Sequence, residues 1–147
     1  MRFVTTAAAA LVTLTSALHM PAFAQESAES GSDGMALELN RIAAVEGGCQ
    51  VVFFGQNGSD EDFAEVEWRL AVFDAEGVFK TLLALPLGAL APGKRRVVQY
   101  NLPFACNELS EIIVNDVAKC TLAGGGDSDT CLSSTTVTSR TDIAFGL

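Results

Sequence analysis

The chain has 147 residues, one histidine, four cysteines and a formal net charge of −9 at pH 7. This acidic balance argues against nucleic acid and anionic membrane surfaces as partners, because both would repel the chain. The single histidine, His19, falls in a segment predicted to be cleaved. The mature chain would then lack the residue on which serine–histidine and cysteine–histidine catalysis and histidine-bound metal sites depend.

Residues 1–24 are typical of a cleavable secretory signal. Arg2 gives a positive start, an apolar run spans residues 7–18, and Ala22-Phe23-Ala24 supplies small residues at the cleavage site. The apolar run is shorter than the roughly 18–20 residues that a membrane-spanning helix needs, so a retained anchor is the less favoured interpretation. We therefore expect a soluble periplasmic or secreted protein with no stable membrane insertion after cleavage.

Residues 25–35 are rich in Ser, Glu and Gly, and they are predicted to be a disordered leader. Residues 36–147 have the length of a single domain. Short apolar segments alternate there with turn signals, which is the rhythm of an all-β protein. Strands are predicted at 37–45, 49–56, 63–73, 78–85, 95–102, 111–122 and 132–139, and 142–145 is predicted to pair at an edge. About seven short strands indicate an immunoglobulin-like antiparallel β-sandwich with Greek-key connections.

The segment 63–73 carries the clearest strand pattern, because apolar and charged residues alternate along it. The apolar set is Val66, Trp68, Leu70 and Val72, and the charged set is Glu65, Glu67 and Arg69. Residues 109–120 are ambiguous, since their apolar residues also fit one face of a helix that Asn107 would cap. The β-branched run Ile112-Ile113-Val114 favours a strand.

The four cysteines, Cys49, Cys106, Cys120 and Cys131, predict two disulfides in an exported domain. No C-x-x-C pair is present, so neither a thioredoxin-type motif nor a four-cysteine zinc site is indicated. Cys120 and Cys131 flank one loop, which favours pairing Cys120 with Cys131 and Cys49 with Cys106. The competing arrangement joins Cys49 to Cys120, as an immunoglobulin-type staple would.

Four surface features are candidates for binding. Asp60-Glu61-Asp62 could form a calcium site or an acidic docking face, although a solvated strand face is favoured. The glycine-rich loop 124–129 is a second place for ion or partner contact. Lys94-Arg95-Arg96 could capture an anion or blunt a sheet edge.

The fourth feature is the apolar run 82–90, in which Leu85, Leu87 and Leu90 would contact a partner if they were exposed. If they were buried, they would cap the sandwich, and burial is the favoured alternative.

The stretch Val66-Glu67-Trp68-Arg69-Leu70-Ala71-Val72-Phe73-Asp74-Ala75-Glu76-Gly77, with the flanking segments Asn57-Gly58-Ser59 and Leu90-Ala91-Pro92-Gly93-Lys94, resembles small bacterial extracytoplasmic immunoglobulin-like domains of the FxLYD type. The whole sequence is similar to uncharacterised exported proteins of marine alphaproteobacteria. These share a segment like Val114-Asn115-Asp116-Val117 and an ending like Ser139-Arg140. The resemblance implies a fold and a compartment, and it carries no catalytic or binding residues.

Together these features predict a non-enzymatic periplasmic module that binds or assembles with a periplasmic or envelope protein and uses no cofactor. The alternative is an ion or small-ligand carrier that uses the acidic loops. A small carboxylate-based hydrolase is the least favoured prediction.

Overall fold

The computed structural model describes residues 33–147. The predicted signal and residues 25–32 of the predicted leader lie outside the described residues. Met35, the last residue of the predicted leader, instead begins the first strand and is fully buried, because its side chain packs into the core.

The described residues form eight strands. These are β1 (Met35–Val45), β2 (Gly48–Asn57), β3 (Phe63–Asp74), β4 (Phe79–Leu90), β5 (Arg95–Leu102), β6 (Leu109–Leu122), β7 (Thr135–Ser139) and β8 (Ala144–Gly146). A 3-10 turn (Cys106–Glu108) precedes β6, and a short helix, α1 (Thr130–Ser133), precedes β7.

The strands build two four-stranded sheets. Sheet A has the order β5-β2-β1-β7, and sheet B has the order β4-β3-β6-β8. Only the hairpins β1–β2 and β3–β4 stay within one sheet, and every other connection between these strands crosses to the other sheet. The predicted all-β, disulfide-stapled sandwich is confirmed, and two of its strand pairs, β1–β7 and β6–β8, are parallel.

The core lies between the sheets, where alternate residues of each strand point inward. Val66, Trp68, Leu70 and Val72 of β3 are all buried, as their alternation predicted. The Trp68 indole N–H donates to the carbonyl of Cys131 at 2.7 Å, which satisfies its polar atom inside an apolar core. Residues 109–120 lie within β6, so the strand interpretation is confirmed.

Both favoured disulfides are present. The Cα atoms of Cys49 and Cys106 are 4.8 Å apart, and those of Cys120 and Cys131 are 6.0 Å apart. The competing Cys49–Cys120 pairing is wrong, because Cys49 is bonded to Cys106 and Cys120 is bonded to Cys131.

Two strand boundaries differ from prediction by three residues or more. β4 continues through Pro86 to Leu90, because it is an edge strand and the missing N–H of Pro86 falls at an irregularity in its pairing with β3. The predicted strand 132–139 begins only at Thr135, since Thr130–Ser133 form a helical turn that carries the disulfide-bonded Cys131.

Within residues 33–147, no helix is both long and apolar enough to cross a lipid bilayer.

Candidate functional site: the split edge of the sandwich

One lateral side of the sandwich is formed by β5 and β4, and side chains close it. The Tyr100 hydroxyl of β5 donates to the carbonyl of Ala84, and Arg96 Nη2 donates to the carbonyl of Ala89 at 3.2 Å. Burial, followed by the nearby Glu67 carboxylate, raises the pKa of Tyr100, so its hydroxyl stays a donor. Pro86 removes one N–H from the β4 edge. These features leave little room for another strand on this side.

The opposite side is formed by β7 and β8, and the chain divides its last strands between the two sheets. β7 pairs only with residues 35–39 of β1, and β8 pairs only with residues 111–113 of β6. Residues 140–143 make the crossing. The Arg140 N–H donates to the Leu39 carbonyl at 2.9 Å, and the Ser139 hydroxyl donates to the Ile143 carbonyl at 2.7 Å.

In the part of the chain that the structure describes, this division leaves part of each sheet without a neighbouring strand on this side. In sheet A, residues 41–45 have β2 on one side and no paired strand on the other among the described residues. In sheet B, residues 114–119 have β3 on one side. On the other side they lie between residues 111–113, which pair with β8, and Cys120, whose carbonyl accepts from the Ser128 N–H. We call these the β1 open segment (41–45) and the β6 open segment (114–119).

The two open segments differ in regularity. The β1 open segment pairs with β2 residue by residue, from Arg41 opposite Val52 to Val45 opposite Gly48. The register between β6 and β3 shifts twice along the β6 open segment, so two of its residues have no partner in β3. Bulges of this kind twist an edge and hinder strand addition. The β1 open segment is therefore the better template.

An open cavity of about 480 Å³ lies at the end of the β1 open segment. It is lined by Ala44, Val45, Gly47, Gly48, Ala105, Cys106 and Asn107. The Cys49–Cys106 disulfide fixes its far wall beside the β1–β2 turn. The β6 open segment has a cavity of about 390 Å³, lined in part by Lys119, Asp129 and the exposed Leu132. Each open segment thus adjoins a depression large enough for a side chain.

Charge distinguishes the β1 open segment from the strands around it. On the outer face of sheet B, Arg69 pairs with Asp116 and Lys119 pairs with Glu65, both at 2.6 Å. Arg140 pairs with Glu38 at 2.8 Å. Arg41 is exposed and has no ion pair with any acid of the described residues. The β1 open segment therefore presents a cation that is free to meet a carboxylate.

The acidic stretch 60–62 and the glycine-rich loop 124–129 lie against each other. The Ser128 hydroxyl donates to Glu61 at 2.8 Å, and the Ala123 N–H donates to the Asp62 carbonyl. Hydrogen bonds from Thr130 and then Ser128 lower the pKa of Glu61. Asp60 and Asp62 are exposed. Among residues 33–147, no three His, Cys, Asp or Glu side chains are grouped so that they could hold a metal ion.

The predicted partner contacts at Leu85, Leu87 and Leu90 are wrong. All three side chains are fully buried because they face the interior of the sandwich, which is the alternative that the sequence favoured. The exposed apolar residues of this region are Phe79 and Leu82, each about half exposed.

Arg95 and Arg96 begin the edge strand β5, where their charges fit the edge-blunting role that was predicted as one alternative.

The described chain is thus a disulfide-pinned, all-β sandwich domain. No protein-family model matches the sequence, and no curated protein matches it. Among solved structures, it is similar to IrmA from Escherichia coli, with 15% sequence identity and a TM-score of 0.52. The match covers 71% of this chain and 90% of IrmA. At this identity the similarity shows a shared fold and nothing about function.

Proposed function

We propose that this chain is a non-enzymatic binding or assembly module of the periplasm or the extracellular space. Its partner would be a periplasmic, envelope or secreted protein. The resemblance to FxLYD-type domains of exported proteins is part of the same proposal.

The observation that carries the proposal is the split edge: the β1 open segment pairs with β2 on one side, has no strand on its other side among residues 33–147, and lies beside a cavity. Unpaired backbone N–H and C=O groups on a sheet edge are a ready site for another extended chain. Proteins normally protect such an edge, as this one does at β4 and β5. An edge left open on one side only is typical of a surface used for association.

Two further features support the compartment. Both disulfides fit an oxidising environment, and residues 1–24 carry the pattern of a secretory signal.

Affinity purification tests the proposal. The mature protein, tagged at its carboxyl end and kept oxidised, is used to capture partners from an envelope extract of the organism that makes it. We expect a partner that binds again as a purified protein, with a defined stoichiometry in calorimetry. Repeated purifications without a partner that rebinds would overturn the proposal.

A further inference from the structure

We infer that the β1 open segment is a strand-addition site for an extended segment of a partner polypeptide. The partner segment would present apolar side chains on its inner face and a carboxylate opposite Arg41. The inference rests on the proposed function and names the part of the edge that performs it.

The backbone of the β1 open segment has the right groups turned outward. Glu46 and Gly47 form a two-residue hairpin turn, with Gly47 at φ 80°, so the flanking pair Val45–Gly48 is hydrogen-bonded. Bonded and non-bonded pairs alternate along antiparallel strands. Ala44 and Ile42 therefore direct their N–H and C=O groups away from β2, and an added strand would satisfy all four.

The core residues beneath the added strand determine which side chains its inner face should carry. Ile42 packs against the core but is only partly buried, because no strand within residues 33–147 covers it from the side. Further along the chain, Phe145 of β8 contributes to the same core, with its ring 5.6 Å from that of Phe53. An added strand with apolar residues on its inner face would cover Ile42, and one side chain could enter the cavity beside Ala44 and Val45.

Charge selects among extended partners. Arg41 lies on the outer face, opposite Val52, and it is the charged residue within the β1 open segment. A charge on an edge strand discourages indiscriminate pairing. It becomes an attraction when the incoming strand places a carboxylate beside it. The site should therefore prefer acidic over basic segments.

Short synthetic peptides test the preference. Two blocked peptides alternate valine with threonine, one with a central glutamate and the other with a lysine in its place. Titrations followed by amide NMR shifts should show changes in residues 41–45. The glutamate peptide should bind at least about tenfold more tightly than the lysine peptide. Changes confined to residues 114–119, or no changes in 41–45, would overturn the inference.

Two variants test the backbone and the charge separately. Ala44→Pro removes an outward N–H without breaking a bond to β2, and it should weaken binding of the glutamate peptide at least about tenfold. Its matched control is Gln99→Pro, which removes an outward N–H from β5 on the opposite side. Arg41→Glu should reverse the preference between the peptides, whereas Arg95→Glu, an equal charge change on β5, should preserve it.

Thermal unfolding of each variant checks that it folds. If either proline variant does not fold, the comparison of Arg41→Glu with Arg95→Glu still tests the inference. Gel filtration checks for self-association. A dimer that Ala44→Pro abolishes would mean that a second copy of this chain occupies the site, contrary to the inference.

The partner from the affinity purification separates the two proposals. If it binds Ala44→Pro and Arg41→Glu as tightly as the unchanged protein, the assignment of the edge is wrong and the binding function stands. If no partner rebinds, the proposed function itself fails.

Discussion

Asn57 is a buried polar residue that joins three parts of the chain. Its side-chain Nδ2 donates to the carbonyls of Glu61 at 2.7 Å and Leu90 at 2.9 Å, and its Oδ1 accepts from the N–H of Ser59 at 2.9 Å. Its backbone N–H donates to the carbonyl of Lys94. Asn57 therefore ties the β2–β3 connection to the β4–β5 turn, where the chain crosses between sheets.

We expect Asn57→Ala to lower the free energy of unfolding by about 2–3 kcal/mol, because it strips buried carbonyls of their donor. Urea denaturation measures the change. Asn101→Ala, which removes an exposed amide, is the control and should stay within about 0.5 kcal/mol of the unchanged protein. Equal effects of the two substitutions would show that the Asn57 contacts add no stability.

Glu38 pairs with Arg140 at the point where the chain leaves sheet A after β7. Burial raises the pKa of Glu38, but hydrogen bonds from Asn40 and Arg140 together bring it below its ordinary value. The Asn40 amide lies 2.6 Å and the Arg140 Nε lies 2.8 Å from the carboxylate. The carboxylate therefore favours the folded state when it is ionised.

A lowered folded-state pKa gives stability that is present above the unfolded-state pKa and is lost as pH falls through the folded-state pKa. At pH 7 we expect the unchanged protein to have a larger free energy of unfolding than Glu38→Gln. This difference should shrink below about pH 4.3, the ordinary pKa of a glutamate. Urea midpoints across this range measure it. Glu108→Gln, at an exposed carboxylate without an ion pair in residues 33–147, is the control. A difference independent of pH would contradict the assignment.

At the scale of the elements, the two disulfides constrain loops of different length. Cys49–Cys106 spans 57 residues and joins β2 to the connection before β6, whereas Cys120–Cys131 spans 11. The chain-entropy account gives the longer loop the greater stabilisation, about 4 against about 3 kcal/mol.

Replacing each cysteine pair with alanine should therefore destabilise the protein in that order, as chemical denaturation under non-reducing conditions would show. A larger loss from the Cys120–Cys131 pair would mean that the core packing of these two buried side chains outweighs loop entropy. Mass spectrometry of each variant confirms that the remaining disulfide has formed.

The sequence predicted the strands whose pattern depends on local alternation. β3 and β5 begin and end within one residue of expectation, because apolar and polar residues alternate in β3 and turns flank both strands. β4 ends five residues later than predicted, because only the sheet topology shows that Pro86 lies on an edge strand, where a missing N–H is tolerated. The helical turn at Thr130–Ser133 depends on contacts of Cys131 with Cys120 and Trp68, which are distant in sequence.

The candidate site could not be predicted in the same way. Alternation identifies which face of a strand is buried, but it does not identify the strand beside it. Residues 132–139 and 142–145 were separated correctly, yet nothing in them indicates that one joins sheet A and the other joins sheet B. An open edge is defined by the lack of a neighbouring strand, so it can be identified only when the order of the strands in each sheet is known.

At the scale of the whole molecule, the arrangement predicts how protection from hydrogen exchange is distributed. In an interior strand, the N–H groups of successive residues bond alternately to the strands on either side, whereas the outward N–H groups of an edge strand exchange through local motion. The Ala44 amide should exchange much faster than that of Val51, although both lie within strands of the same sheet. Exchange followed by NMR measures this. Equal protection would mean that another segment covers the β1 open segment.

The sandwich also carries its own optical reporter. Trp68 is the only tryptophan of the chain, and it is fully buried with its indole bonded to the carbonyl of Cys131. Its emission arises from one environment, between the two sheets and beside the Cys120–Cys131 loop. Opening of the core moves that single fluorophore into water and shifts its spectrum to longer wavelengths. The unfolding of every variant can therefore be followed without any added label.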